Sequence, residues 1–330
     1  MFRKLSISLS LTAIAAFAQT KPAFEVATIK PSAPLDQAKI LAAVQSGGKM
    51  PVGASVDAHR AEYLYLDLKS LVCYAYGVKP FQITGPDFIS STRFDIVGKL
   101  PDGSTKADAA KMLQSLLEER FKLTFHRATT EHPVLALVES GKNGLKLKAS
   151  ATKPVAIDED APLKPGELKT EGPDGPVRTS VDLKTGSSVV DMGLKGKMAY
   201  HVAPATQSIH IDFTMTTMGG LADMLTQLFT QIGGATGGRQ VVDMTGIEGN
   251  YDATIEISLA DILAMARAAG VDLGPNVPNA PGAAPGVASD PGGGSSLTDA
   301  VRSMGLKLES RKAPVDQFII DHVEKTPTEN

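Results

Sequence analysis

The sequence predicts an α+β protein with two repeated modules, each a small sheet packed with two helices in the order β-α-β-β-α-β-β. The chain resembles itself at two offsets. A slide of 157 positions places residues 64–95 on 221–252, and a slide of 185 places 122–139 on 307–324. Five residues are identical in each alignment, and apolar and aromatic positions coincide as well. Self-similarity of this kind indicates two copies of one module.

A Gly- and Pro-rich stretch accounts for the 28-residue difference between the two offsets. Residues 270–295 contain seven Gly and five Pro and scarcely any large apolar side chain. Such a composition cannot bury a core, so a disordered insertion is predicted here. The chain is therefore predicted to contain a leader at 1–18, a first module at 19–149, a linker at 150–197 and a second module at 198–330.

The elements of the first module follow from periodicity and from capping residues. Residues 56–66 alternate weakly, as a strand does. Asp67 can cap a helix over 68–76, whose apolar residues recur at i, i+3, i+4 and i+7, and Gly77 provides a stop. The remaining predicted elements are strands at 81–84 and 93–99, a helix at 107–119, and strands at 121–126 and 134–138.

The second module is predicted to repeat this order. Its expected elements are a strand at 209–215, a helix at 221–231, strands at 240–243 and 251–257, a helix at 296–304, and strands at 306–311 and 317–323. Residues 150–197 are rich in Pro, Gly and charge and show no sustained period. That composition predicts a linker between the modules.

The N-terminus has the three parts of a secretory signal in the required order. Arg3 and Lys4 are followed by an apolar stretch over 5–16, and Ala16 and Ala18 are the small residues before a cleavage site. We expect cleavage after Ala18 and a soluble mature protein, periplasmic or secreted. The alternative is a short membrane anchor that is not removed.

Composition and charge exclude several classes of function. The chain has 33 basic and 36 acidic residues, and loss of Arg3 and Lys4 with the leader leaves 31 against 36, a net charge of −5. No basic cluster favours nucleic acid, and the absence of Trp disfavours a carbohydrate site built on Trp platforms. Cys73 is the only cysteine, so the chain has no intramolecular disulfide.

Histidines supply one candidate for metal binding. None of the six has a zinc-motif spacing. His210 and Asp212 would lie on one face of a strand, where they could hold a metal with a third ligand from elsewhere. The alternative is an ordinary polar strand face. His126 is expected on the solvated side of its strand.

Nucleophilic chemistry finds no support in the sequence. Cys73 flanks the buried stripe of a helix, as a small semi-buried thiol would. Asp321 and His322 would point to opposite faces of a strand and make a poor catalytic pair. The chain has no nucleophile elbow, P-loop or dinucleotide fingerprint. We therefore predict no catalytic, cofactor-binding or metal residue, and no cofactor.

Sequence blocks along most of the chain point to one family. They are FEVATIKP from Phe24, AYGV from Ala75, ITGPD from Ile83, ERFKLTFHR from Glu119, VDMTGIEGNYD from Val242 and IDHVEK from Ile320. These blocks resemble the soil-associated protein family, a large group of exported bacterial proteins of unknown function. Similar domains occur attached to membrane metallopeptidases of the β-lactam-sensor type. The resemblance assigns no catalytic residues.

The predicted element order is also similar to that of the short N-terminal domain of secretins and TonB-dependent receptors. We expect an exported, non-catalytic protein that binds an unknown envelope protein, peptide or small ligand, for example by strand addition at an exposed sheet edge. The alternatives are a hydrolase whose site is assembled from residues distant in sequence, and an envelope sensory domain.

Overall fold

The computed structural model describes residues 21–328 apart from 47–49, 142–143, 160, 173–174, 183, 204, 232–238, 259, 261–262 and 264–294. The predicted leader at 1–18 lies outside the described residues, as does the predicted insertion up to residue 294. The described chain is a mixed α+β protein, which confirms the predicted class.

The first half of the chain contains six strands and three α-helices among its described residues. They are β1 Val26–Pro31, α1 Gln37–Ser46, β2 Gly53–Val56, β3 Arg60–Asp67, α2 Leu68–Tyr76, β4 Ile83–Thr84, β5 Arg93–Lys99, α3 Lys106–Arg120 and β6 Thr124–Glu139.

The rest of the chain adds nine strands and two α-helices among its described residues. They are β7 Lys148–Ala149, β8 Glu167–Gly172, β9 Gly175–Asp182, β10 Ser187–Asp191, β11 Lys197–Ala203, β12 Ser208–Thr216, α4 Met218–Gln231, β13 Val241–Asp243, β14 Tyr251–Ser258, α5 Ser295–Ser303 and β15 Leu306–His322.

The strands form two sheets. The larger has the order β1-β5-β3-β2-β8-β9-β10-β11-β12-β14-β7 and is antiparallel throughout. The smaller has the order β13-β6-β15-β4. No helix within the described residues has the length and hydropathy needed to cross a membrane.

Helix α2 has the boundaries that the sequence predicts. The Asp67 side chain accepts a hydrogen bond from the Ser70 backbone N–H at 2.8 Å, so it satisfies a donor of the first turn. Gly77 ends the helix with φ of 62°, a left-handed conformation that glycine adopts without a Cβ clash. The predicted apolar face is buried, which confirms the periodicity argument.

The predicted linker over 150–197 is wrong as a structural description. Strands β8, β9 and β10 lie in this segment and join the two ends of the larger sheet into one. Their side chains are mostly half-buried rather than alternately buried and exposed. Because neither face is buried as a core, no alternating apolar pattern is required, and composition alone suggested an irregular segment.

The largest differences between predicted and observed strand boundaries are in two places. Residues 56–66 contain a turn between the paired strands β2 and β3 rather than one strand, because Asp57 accepts hydrogen bonds from the N–H groups of His59 and Arg60. The four terminal strands predicted for the modules form only two long ones, β6 and β15, which pair antiparallel. Their central residues are largely exposed, so the apolar pattern is interrupted while the backbone pairing continues.

Two hydrophobic cores share these long strands. The first core contains Leu71 and Phe94, together with Phe318 and Ile320 from β15. The second core contains Leu228 and other residues of α4, together with Leu137 from β6. Phe125 of β6 also packs against the first core, and Leu306 of β15 belongs to the second. Each of the two strands therefore contributes to both cores, and a division of the chain at 149 and 198 does not separate them.

Candidate functional site

Strand β5 is covered along its outer edge by the N-terminal segment. Residues Val26–Pro31 pair antiparallel with Phe94–Lys99. The Phe24 ring lies over Gly98 so closely that a Cβ there would be 2.5 Å from a ring atom. Glu25 adds an ion pair to Lys99, with 2.5 Å between Oε2 and Nζ. The edge of β5 is thus closed by backbone pairing, ring packing and charge.

A bulge in the pairing of β3 with β5 lies beside this covered edge. The β3–β5 pairing shifts between Tyr63 and Leu66, where Tyr65 has a φ of 56°. The Tyr65 N–H donates to Asp95 Oδ1 at 2.8 Å. The Ser32 hydroxyl donates to the same oxygen at 2.6 Å, which ties the end of β1 to the bulge.

The same contacts recur in the other half of the larger sheet. The β12–β14 pairing shifts between Phe213 and Thr216, where Met215 also has a φ of 56°. The Met215 N–H donates to Asp252 Oδ1 at 2.9 Å, and the Ser150 hydroxyl donates to that oxygen at 2.5 Å. Asp252 on β14 therefore has the same position as Asp95 on β5, 157 residues earlier in the chain.

Strand β14 is covered over a shorter length than β5. Lys148 pairs with Asp252, as Lys30 pairs with Asp95. Before this point the paths differ, because the Lys146 N–H donates to the carbonyl of Met304 at 3.0 Å instead of following β14. Among the described residues, no strand pairs with 253–257 on the side away from β12. We call residues 253–257 the open edge.

Two residues of the open edge direct backbone groups outward. The Ser150 N–H donates to the carbonyl of Asn250 at 2.8 Å. In an antiparallel ladder such bonds recur at every second residue, so Asp252, Thr254 and Glu256 point their N–H and C=O groups to this side. Asp252 pairs with Lys148 of β7. Thr254 and Glu256 each present one backbone N–H donor and one C=O acceptor on this side.

Side chains beside the open edge form a polar face. The hydroxyl of Thr254 donates to Asp212 Oδ1 at 2.6 Å. Asp212 Oδ2 lies 3.2 Å from His201 Nε2, and Glu256 Oε1 lies 3.6 Å from His210 Nε2. Glu256 is about half exposed, with 54% of its side-chain surface accessible. This face lies opposite the buried Ile255 and Ile257.

The predicted metal pair is on this face but has other neighbours. His210 and Asp212 project from the same side of β12, as the sequence predicts. His210 nevertheless approaches Glu256, while Asp212 contacts His201 and Thr254. Within the described ranges, no group of three His, Cys, Asp or Glu side chains is placed to hold a metal ion.

The other sequence candidates are placed apart from the open edge. Cys73 is buried in α2, and burial raises the pKa of its thiol to about 12, so the thiol is protonated at neutral pH. His126 Nδ1 lies 2.8 Å from Asp321 Oδ1 across the β6–β15 pair. From the sequence alone, the neighbour of Asp321 that suggests a pair is His322, because the antiparallel register that brings His126 close is not visible in adjacent residues.

Sequence reasoning did not find the open edge itself. A signal for it exists in the repeated spacing of Lys30 and Ser32 with Lys148 and Ser150. The first pair ends a six-residue strand, and the second ends a two-residue strand. Comparing these two short blocks would have revealed the equivalent positions, although not the missing length.

Within the part of the chain that the structure describes, the protein is an α+β fold whose larger sheet is covered unequally on β5 and β14. Residues 69–323 match the family described as protein of unknown function (DUF3738). The chain belongs to this family, which confirms the expectation of an uncharacterised family. No curated protein and no solved structure matches the chain.

Proposed function

We propose that this chain is an exported, non-catalytic binding protein that holds an extended peptide segment as an added strand on the open edge. The observation that carries the proposal is the contrast between β5, covered by β1 over six residues, and β14, covered by β7 over two. Strand addition takes affinity from backbone hydrogen bonds and specificity from alternate side chains.

The backbone contribution is limited in this site. Thr254 and Glu256 together offer two donors and two acceptors, so an added strand would form up to about four hydrogen bonds. Each contributes roughly 0.5–1.5 kcal/mol net, and ordering of the peptide opposes them. Side chains of the bound segment must therefore supply part of the affinity, and sequence preference follows from that.

Export and repetition complete the proposal. The predicted leader at 1–18 and the resemblance to the soil-associated family support a location outside the cytoplasm. The two bulges support two copies of one module. In each, an Asp side chain accepts hydrogen bonds from the N–H of a residue with positive φ and from a Ser hydroxyl. In that view β14 is the counterpart of β5, and the open edge is the position at which no described strand takes the place of β1.

A backbone substitution tests the binding site. The hexapeptide of residues 24–29 is a suitable probe, because this sequence covers the equivalent edge of β5. The variant Thr254→Pro lacks the outward N–H and leaves the β12 pairing side intact, so we expect at least a tenfold loss of affinity. Isothermal titration calorimetry measures the affinity. Three versions of the peptide are used, with Glu, Gln or Lys at the second position.

Thr254→Ala is the matched control. It loses the same hydroxyl and its bond to Asp212 but keeps the N–H. We expect it to bind the peptide within about twofold of the wild type, since an exposed hydroxyl contact contributes little to a backbone-mediated site. Equal affinity of the Pro and Ala variants, or no binding of any of the three peptides to the wild type, contradicts the proposed function.

A further inference from the structure

At one equivalent position, the open edge and the covered edge of β5 carry opposite charges. Asp252 corresponds to Asp95, so Glu256 on β14 corresponds to Lys99 on β5, because each lies four positions after its Asp. On the covered edge, Lys99 forms its ion pair with Glu25 of the added segment. An occupant of the open edge that carried an acid at the position of Glu25 would meet the Glu256 carboxylate instead.

Charges around Glu256 reinforce this difference. Asp212 lies on the neighbouring strand β12, and its Oδ1 accepts a hydrogen bond from the hydroxyl of Thr254 on the open edge. His210 and His201 face these carboxylates and carry charge only when protonated. Lys197 on β11 is paired with Asp191 at 2.7 Å, and Lys148 lies at the far end beside Asp252. The face beside Glu256 is therefore acidic when the two imidazoles are neutral.

The direction of the occupant follows from the strands already present. Both β1 on β5 and β7 on β14 run antiparallel to the strand they cover. A segment that continues the line of β7 has the same direction and alternates its side chains between the core side and the polar face. Its residue at the position of Glu25 lies near the end of β14, next to Glu256.

We infer that the occupant of the open edge is a peptide segment that runs antiparallel to β14 and presents a Lys or Arg to Glu256. This inference rests on the proposed function and adds the chemistry of the segment to it. The carboxylate of Glu256 is exposed enough to receive a cation, and the equivalent ion pair with reversed signs exists on the covered edge. Coulomb attraction of this kind weakens with added salt.

Three probes that differ at one position test the inference. The hexapeptide of residues 24–29 carries Glu, Gln or Lys in the place of Glu25, and fluorescence anisotropy at pH 8 and low salt gives each Kd. We expect the order Lys, then Gln, then Glu, with the Lys peptide roughly threefold to tenfold tighter than the Glu peptide, as exposed ion pairs allow. The difference should shrink at 0.5 M salt.

Reversing the charge at position 256 of the protein provides the decisive comparison. Glu256→Lys should invert the order, so that the Glu peptide binds best. Glu119→Lys makes the same change of net charge on an exposed position of α3 and should leave the order unchanged. Equal affinities of the three peptides, or an unchanged order in Glu256→Lys, overturns the inference. If the same peptides still bind the Thr254→Pro variant more weakly than the wild type, binding at the open edge stands and only the charge preference is wrong.

Discussion

Replacing Phe318 by Ala should lower the free energy of unfolding by about 3–5 kcal/mol, the usual cost of truncating a buried Phe. The side chain is 1% exposed, and it lies in the first core although it belongs to the last strand of the chain. Its ring stacks on Phe125 at 4.1 Å between centroids and lies 4.8 Å from that of Tyr76. The substitution removes contacts to both β6 and α2.

Urea unfolding followed by circular dichroism measures this loss, since the chain has no Trp for fluorescence. Leu194→Ala is the control, because that apolar side chain is 67% exposed and its truncation should cost under about 0.5 kcal/mol. A loss under about 1 kcal/mol for Phe318→Ala would mean that β15 does not complete the first core.

The second large effect is expected for a matched pair of helix residues. Leu71 on α2 is fully buried in the first core, and Leu228 on α4 is 3% exposed in the second. Leu71→Ala and Leu228→Ala should each cost about 2–5 kcal/mol as core truncations. Because β6 and β15 join the cores, each variant should still unfold in one transition. Two separate transitions, or a cost near zero for either variant, contradicts this prediction.

Local signals account for the elements that the sequence predicts well. Helix α2 depends on a cap, an apolar stripe and a glycine stop, all within residues 67–77. Strand β5 has an alternating buried pattern and is found as predicted over 93–99. Strands β8 to β10 escape such reasoning, because they are held by backbone pairing with neighbours and bury no alternating face.

The open edge depends on contacts that are distant in sequence. Its existence follows from the path of Lys146, whose N–H bonds to Met304 more than 150 residues away. The short cover by β7 leaves no pattern in β14 itself, whose alternation is the same whether its outer side is covered or not. The nature of the polar face, in contrast, was visible as the His210 and Asp212 pair.

Amide hydrogen exchange at two positions tests the central claim, which is that no described strand covers residues 253–257 of β14 as β1 covers β5. Val97 pairs with Thr28 of β1, whereas Thr254, 157 residues later, has no such partner among the described strands. NMR-detected exchange of the free protein should show the Thr254 amide exchanging at least about 100-fold faster than that of Val97. Saturation with the Lys hexapeptide should slow Thr254 and leave Val97 unchanged. Equal protection of the two amides in the free protein would contradict the account.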